Sequence, residues 1–401
     1  MKKKAIIVCL STLFCLGIIG AASGMDLSAK ETLGKAIFFD TNLSVNNNQS
    51  CASCHDPEAG WTGSLSDINA SGSVYEGSVL GRFGNRKPPS SAYATQSPIF
   101  HFMPKPNELF IGGNFWDGRA TGEKLGNPAA DQAQGPFLNP VEQALWSPDE
   151  VVQRVCNSDY GDLFRDVWGS EICAFSSVAA AYDAIALSIA AYEASTEVNA
   201  FTSKFDYAQK NMVKLSKEEK KGLALFKGKG KCQRCHTTNG KLPLFTDYTY
   251  DNLGTPRNPA NPWYQMPAEF NPEGDAWIDA GLGGFLDSRP EYKSYAEDNM
   301  GKQKVPTLRN VDKRPYPEFV KAFGHNGYFK SLQEIVHFYN TRDVLEPCDD
   351  MANPEPGVNC WPKAEVAEHV NNSELGDLGL TTEEEAAIVA FLKTLSDGYE
   401  P

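Results

Sequence analysis

The chain has 401 residues, 41% hydrophobic and 22% charged, with a formal net charge of −14. That length suggests two domains, each able to bury a core. The acidic balance argues against a nucleic-acid partner and is compatible with a basic protein partner or with ordinary solubility.

Lys2-Lys3-Lys4 is a basic n-region, Ala5 to Ala22 is an apolar run carrying Cys9 and Cys15, and Ala21-Ala22-Ser23 offers a small-residue cleavage site. Neither cysteine lies in a convincing lipobox, so residues 1–23 read as a cleaved signal peptide, with an uncleaved anchor as the alternative. No later stretch is expected to span a bilayer. The mature protein should be periplasmic and soluble, with a charge of about −17 once the three leader lysines are gone.

Ser28-x-x-Glu31 is a capping box, followed by Leu33 and Ile37 on one helical face. Cys51-Ala-Ser-Cys54-His55 comes next, and Cys232-Gln-Arg-Cys235-His236 echoes it. Cys-x-x-Cys-His is the attachment site of a c-type haem. Two residues between the thiols span the edge of the macrocycle, and the following histidine falls under the iron as proximal ligand. A redox dithiol needs no following histidine, and zinc wants four converging ligands. Two such motifs in an exported chain predict two covalent haems.

Asp56 to Pro148 is long, loop-rich and heavy in Gly, Pro and Asn, a pattern that usually carries function. Val178, Tyr182, Ile185, Ile189 and Tyr192 mark an apolar helix face, read as core and domain connector. Ser216-x-x-Glu219 then repeats the first capping box. Ser28, Glu31, Gly34, Ala36 and Phe38 match Ser216, Glu219, Gly222, Ala224 and Phe226 in register. The unit of helix and haem motif is therefore duplicated. The fold class is mainly α, with two cytochrome c-like domains, each carrying one covalent haem, and long loops. The boundaries are 24–205 for the N-terminal domain and 206–401 for the C-terminal one.

Leu242 to Lys304 is again loop-rich. Ser331-x-x-Glu334 caps a short helix with Leu332, Ile335, Val336 and Tyr339 on one face. Thr382-x-x-Glu385 caps the last helix, with Ile388, Phe391, Leu392 and Leu395 on its face and Gly398 closing it. Of the cysteines outside leader and haem motifs, Cys156 pairs locally with Cys173 and Cys348 with Cys360 in an oxidising compartment. Each short loop contributes on the order of 3 kcal/mol.

Leu33-Gly-Lys-Ala-Ile-Phe-Phe-Asp40, the first haem motif, Phe115-Trp-Asp-Gly-Arg-Ala120, Gly135-Pro-Phe-Leu-Asn-Pro-Val-Glu142 and Val305-Pro-Thr-Leu-Arg-Asn310 together resemble the bacterial dihaem cytochrome c peroxidase and MauG superfamily. The matches run in family order over nearly all of the mature chain. The resemblance implies a peroxidatic haem in the N-terminal domain and an electron-transfer haem in the C-terminal one. It implies a distal acid–base role for Glu142, a distal glutamine at Gln132 and an interhaem tryptophan at Trp116. Breaking a peroxide O–O bond needs one oxygen deprotonated and the other protonated, and a carboxylate beside an open iron position can shuttle that proton. Alone, Glu142 would read as a solvated charge and Trp116 as a packed turn residue.

Three departures from the family pattern stand out. Gly81-Arg-Phe-Gly-Asn-Arg-Lys-Pro-Pro89 lacks the histidine that blocks the resting iron in peroxidases needing reductive activation, so the peroxidatic iron is expected to be open. Tyr339 stands where the peroxidases have a methionine ligand and MauG-type proteins a tyrosine; Met266 and Met300 are the loop alternatives. An interhaem calcium is implied by the family. Against it, Lys87 stands where a liganding asparagine belongs, and an insertion around Arg314 to Ala322 obscures the Thr-x-Pro ligand pair. His101 reads as structural, His325 resembles a structural position near the second haem, and His337 and His369 receive no role.

The resulting expectation is a periplasmic enzyme that reduces hydrogen peroxide to water with electrons from a small cytochrome c or cupredoxin. The alternatives are MauG-like oxidation of side chains in a protein substrate, and a non-catalytic electron carrier. A carrier wants both irons saturated, which an open site with Glu142 and Gln132 opposes.

Overall fold

The computed structural model describes residues 26–401, so the expected signal peptide lies outside the described residues. The helices that position the site are α1 (Ala29–Phe38), α2 (Cys51–Cys54), α3 (Pro128–Ala133), α4 (Val178–Glu193), α5 (Lys217–Lys227), α6 (Leu332–Thr341) and α7 (Thr382–Lys393). Among the described residues, strands are confined to three two-stranded pieces. β1 (His101–Met103) runs antiparallel to β2 (Leu109–Ile111), and β3 (Tyr250–Asp251) to β4 (Gln303–Lys304), while β5 (Glu346–Pro347) lies parallel to β6 (Cys360–Trp361). The rest is loop, single helical turns and further short helices such as Pro148–Cys156 and Gly161–Trp168, in keeping with a mainly α class.

Two hydrophobic cores are built to one plan. The first gathers Leu33, Ile37, Phe38, Trp61, Ile189 and Tyr192; the second gathers Phe226, Phe245, Leu332, Val336, Ile388 and Phe391. In each, a capped entry helix crosses a late helix at a glycine. A Cβ on Gly34 would collide with the carbonyl of Ser188 in α4, and one on Gly222 with the carbonyl of Ala387 in α7. Glycine is required at both crossings because the backbones touch.

An aromatic triad seals each crossing. Phe38, Trp61 and Tyr192 meet edge-to-face with centroids 5.7–5.9 Å apart. Phe226, Phe245 and Phe391 repeat this at 5.2–6.2 Å. Such contacts add about 1 kcal/mol each beyond buried area. Both capping boxes form as expected, Ser28 with Glu31 and Ser216 with Glu219. Disulfides join Cys156 to Cys173 and Cys348 to Cys360.

Two details depart from expectation. The last helix is capped by Thr381 with Glu384, one residue earlier than the sequence reading. Glu385 is unable to serve because it is buried, accepting from the Asn340 amide at 2.6 Å and facing the His337 ring at 3.0 Å. Gly398 lies beyond Thr394, the residue that ends the helix. Against the expectation that no stretch after the leader has the length to span a bilayer, Phe175–Glu193 is long and apolar enough to cross one. Its Tyr182, Ile185, Ile189 and Tyr192 are buried in the first core, which accounts for its hydropathy.

Candidate functional site: two histidine-bearing cavities and the junction between them

Each Cys-x-x-Cys-His motif opens onto its own cavity. Cys51, Cys54 and His55 line one of about 130 Å3; Cys232, Cys235 and His236 line one of about 220 Å3. The two histidines are held alike. His55 Nδ1 lies 3.2 Å from the Trp61 carbonyl and His236 Nδ1 2.8 Å from the Phe245 carbonyl, each carbonyl belonging to a triad member. An Nδ1–H donating to a backbone carbonyl fixes the ring and leaves Nε2 as the ligating atom. Trp61 and Phe245 both adopt positive φ, at 63° and 54°, which turns those carbonyls inward. Ser90 and Thr307 hydroxyls donate to the preceding carbonyls, Gly60 and Leu244, at 2.9 and 2.6 Å.

Burial lowers His55 to about 4 and moves His236 in the same direction, so both rings are neutral, the form that binds a metal. Burial raises the Cys54 thiol to about 12, with the Glu142 charge adding to it, and lifts Cys51, Cys232 and Cys235 too. A redox dithiol needs the opposite shift. The one tight group of ligand-type side chains among the described residues is Cys235, Asp251 and Glu374. It contains a single thiol and neither motif histidine, and Asn371 already donates to both carboxylates, so no four-ligand zinc site forms.

Both cavities carry buried polar atoms with no partner among the described residues. In the N-terminal cavity these are Gln49 Oε1 and both amide atoms of Gln143; in the C-terminal one they are both amide atoms of Gln303, Arg309 Nη2 and His325 Nε2. Buried polar atoms are ordinarily satisfied. Paired thiols, a fixed imidazole, an aromatic and aliphatic wall, and orphaned donors together fit a haem, with its apolar body and carboxylate edge.

The N-terminal cavity brings together the residues singled out for chemistry. Glu142, Gln132 and Trp116 all line it with His55. Burial raises the Glu142 carboxyl, while Arg119 and a hydrogen bond from Asn139 pull it back. His55 is the only histidine on that wall among the described residues. The loop expected to lack a blocking histidine passes along it from Gly84 to Pro89. Arg86 pins the loop, donating to Asp117 and bidentately to Asp279 at 2.6 Å. Trp116 is 8% exposed, donates its indole N–H to the Lys87 carbonyl at 2.8 Å, and lines both cavities.

In the C-terminal cavity, Leu332, Ile335, Val336 and Tyr339 of α6 share the wall with His236, as their spacing requires. Burial raises the Tyr339 phenol. Neither Met266 nor Met300 lines this cavity. Met266 is buried elsewhere, and Met300 packs its sulfur against Gly283. His101 sits on β1 with Nδ1 at 2.8 Å from the Ile99 carbonyl, and His337 pairs with Glu385, so neither enters a cavity.

A model of the di-haem cytochrome c peroxidase family matches residues 28–214. The chain is 33% identical over 380 residues to the methylamine utilization protein MauG of Paracoccus denitrificans, spanning 93% of this chain and 90% of that one. It belongs to the di-haem cytochrome c peroxidase family. Cytochrome-c peroxidase IdrP1 of Denitromonas iodatirespirans is 28% identical over 378 residues, 92% of this chain and 81% of that one. The diheme peroxidase BthA of Burkholderia thailandensis superposes with a TM-score of 0.72 at 28% identity, over 93% of this chain and 87% of that one. The family is one of oxidoreductases, and it includes both peroxidases and MauG.

Sequence reasoning missed Trp61 and Phe245, the residues that orient the two histidines. It also missed a second duplicated turn. Asn114 bridges to Ala120 and Phe323 to Phe329. Within these turns the Asp117 carboxylate accepts from the Arg119 N–H at 3.2 Å, and the Asn326 side chain from the Tyr328 N–H at 3.1 Å. Trp116-Asp117-Gly118 and His325-Asn326-Gly327 are therefore counterparts, and the shared signal was an Asx-Gly pair behind a ring.

Proposed function

We propose that the protein is a two-haem oxidoreductase that takes hydrogen peroxide at its N-terminal cavity and reduces it to water in the periplasm. In the proposed N-terminal domain, 24–205, Cys51, Cys54 and His55 would hold one haem. In the proposed C-terminal domain, 206–401, Cys232, Cys235 and His236 would hold the other. When bound, haem iron supplies the redox centre at which the O–O bond is cleaved. The overall reaction consumes one peroxide, two protons and two electrons and yields two waters.

Glu142 takes a proton from one oxygen of the peroxide and returns it to the other, so that the latter leaves as water. Gln132 holds the substrate by its amide. Burial raises the proton affinity of Glu142 above that of an ordinary carboxyl, the direction that favours its giving a proton back. Trp116, on the wall of both cavities, passes electrons from the C-terminal side. A small cytochrome c or cupredoxin delivers them. The observation that carries this reading is that Glu142 and Gln132 share one wall with His55, and no second histidine stands there among the described residues. A pure carrier would saturate both irons. Peroxide-dependent turnover with reduced small redox proteins tests it; a protein loaded with two haems that fails to consume peroxide refutes it.

A second reading has its own support in Tyr339, which lines the C-terminal cavity while both candidate methionines stay outside it. An anionic phenolate stabilises ferric iron and lowers its potential, whereas a thioether raises it. With Tyr339 as ligand, the chain would oxidise side chains of a partner protein, as expected of a MauG-like enzyme. His/Met ligation gives a charge-transfer band near roughly 700 nm in the oxidised protein. Its presence, surviving in Tyr339→Phe, removes the tyrosine as ligand and with it this second reading.

A further inference from the structure

The two copies meet at a junction that repeats itself. The Lys87 N–H donates to the His325 carbonyl at 2.9 Å, and the Lys304 N–H to the Trp116 carbonyl at 2.7 Å. The Thr62 hydroxyl donates to the Pro88 carbonyl at 2.6 Å and the Thr246 hydroxyl to the Val305 carbonyl at 2.7 Å. Lys87 and Lys304 are thus counterparts, and the residues before them, Arg86 and Gln303, correspond.

In the first copy these groups are satisfied. Arg86 is clamped by Asp117 and Asp279, Lys87 Nζ donates to Thr62 Oγ1 and the Pro88 carbonyl at 3.0 Å, and Trp116 Nε1 has its carbonyl. In the second copy they are not. Both amide atoms of Gln303 and Nε2 of His325 are buried without a partner. Among the described residues, Lys304 Nζ has only Asn114 Oδ1 at 3.5 Å and the face of Tyr248 at 5.3 Å. All three side chains line the C-terminal cavity beside Trp116.

Neighbouring carboxylates do not answer them. Asp279 and Glu365 lie 3.7 and 3.9 Å from His325 Nε2, beyond hydrogen-bond range. Asp279 is taken by Arg86, and Glu365 accepts from the Tyr264 hydroxyl at 3.4 Å and the Asp279 N–H at 3.3 Å.

We propose that Gln303, Lys304 and His325 receive the carboxylates at the edge of the C-terminal haem and seat that edge against Trp116. The proposal rests on the two-haem reading above. Burying an ammonium without an anion is unfavourable, and burial lowers Lys304 to about 8; a carboxylate alongside reverses that trend. The His325 ring lies 6.5 Å from the Trp116 ring at 68°, so a group held by this histidine sits near the indole. These are positioning residues. Lys304 also neutralises a negative charge at the edge of the macrocycle, which favours the reduced iron.

The test is a spectroelectrochemical titration of the full protein, with covalent haem counted by intact mass. Lys304→Met should keep two haems and reduce the electron affinity of the C-terminal one about tenfold as an equilibrium constant, leaving the N-terminal one in place. Lys304→Arg should restore it. Gln303→Leu, nearly isosteric, should shift the same haem in the same direction, and it carries the test if Lys304→Met does not fold. His325→Phe, which keeps a ring beside Trp116, should slow transfer between the haems about tenfold. Two haems with an unchanged C-terminal potential in both Lys304→Met and Gln303→Leu overturn the proposal. A parent protein with fewer than two covalent haems overturns the underlying reading instead.

Discussion

Glu142→Gln isolates proton transfer from everything else the N-terminal cavity does. The amide keeps the volume and polarity of the side chain but is unable to take a proton. Glu142 is half-buried on a wall it shares with the amides of Gln132 and Gln143 and with one other carboxyl, Glu193. A positioned acid–base group contributes about 100-fold or more, which is about 2.7 kcal/mol of barrier. Peroxide turnover should fall by at least roughly that factor, with both haem spectra nearly intact. The pH profile gives a second handle. Burial raises Glu142, and the Arg119 charge opposes this. Arg119→Met removes the opposing charge and raises the carboxyl further. The base form exists only above that pKa, so the acid limb of kcat/KM should move to higher pH. Turnover of Glu142→Gln near that of the parent refutes the assignment, and an acid limb unmoved by Arg119→Met refutes the electrostatic account.

Trp116→Phe should still react with peroxide while electrons pass slowly between the haems, as read by stopped-flow after partial reduction; unchanged transfer removes the indole from the path. Gly222→Ala should destabilise the C-terminal half by about 3 kcal/mol in denaturant titration, because the new methyl meets the Ala387 carbonyl, a backbone atom. Glu193 is 4% exposed and burial raises it from an ordinary 4.5 to about 8, with only the Ser91 hydroxyl opposing. Its contribution to stability is complete below about 4.5 and is lost as pH rises through about 8. Glu193→Gln should therefore melt higher than the parent at pH 9 and lose that advantage at pH 4; equal melting temperatures at both would contradict this.

What the sequence made legible was local. Ser28 with Glu31 and Ser216 with Glu219 announce their helices within one turn, and Gly34 and Gly222 stand in matching register because each crossing needs a bare backbone. The face of α6 that carries Tyr339 follows from helical spacing alone. What stayed hidden depended on loops. Trp61 and Phe245 perform one task at 6 and 9 residues beyond their histidines, so no fixed spacing marks them. The junction was obscured differently: Trp116 and His325 occupy one position with unlike rings, and Arg86 and Gln303 with unlike charge. The cap of α7 was misplaced by one residue because three consecutive glutamates offer alternative partners, and only packing decides that Glu385 turns inward.

The duplication explains how one scaffold serves two kinds of chemistry. The glycine crossings set Ser188 against Ala387 and Tyr192 against Phe391, so the next residues, Glu193 and Leu392, are counterparts, and each lines its own cavity. In the first copy that position holds a buried carboxyl, in a cavity that also has Glu142, Gln132 and Gln143. In the second it holds a leucine beside Ile388, Leu332 and Val336. A wall of carboxyls and amides suits a site that must accept and return protons, since each group offers a place for one. An aliphatic wall excludes water and keeps proton traffic away from a group whose task is to gain and lose an electron. On the proposed reading, donors absent from that aliphatic wall are supplied on the side facing Trp116 by Gln303, Lys304 and His325, where the electron crosses.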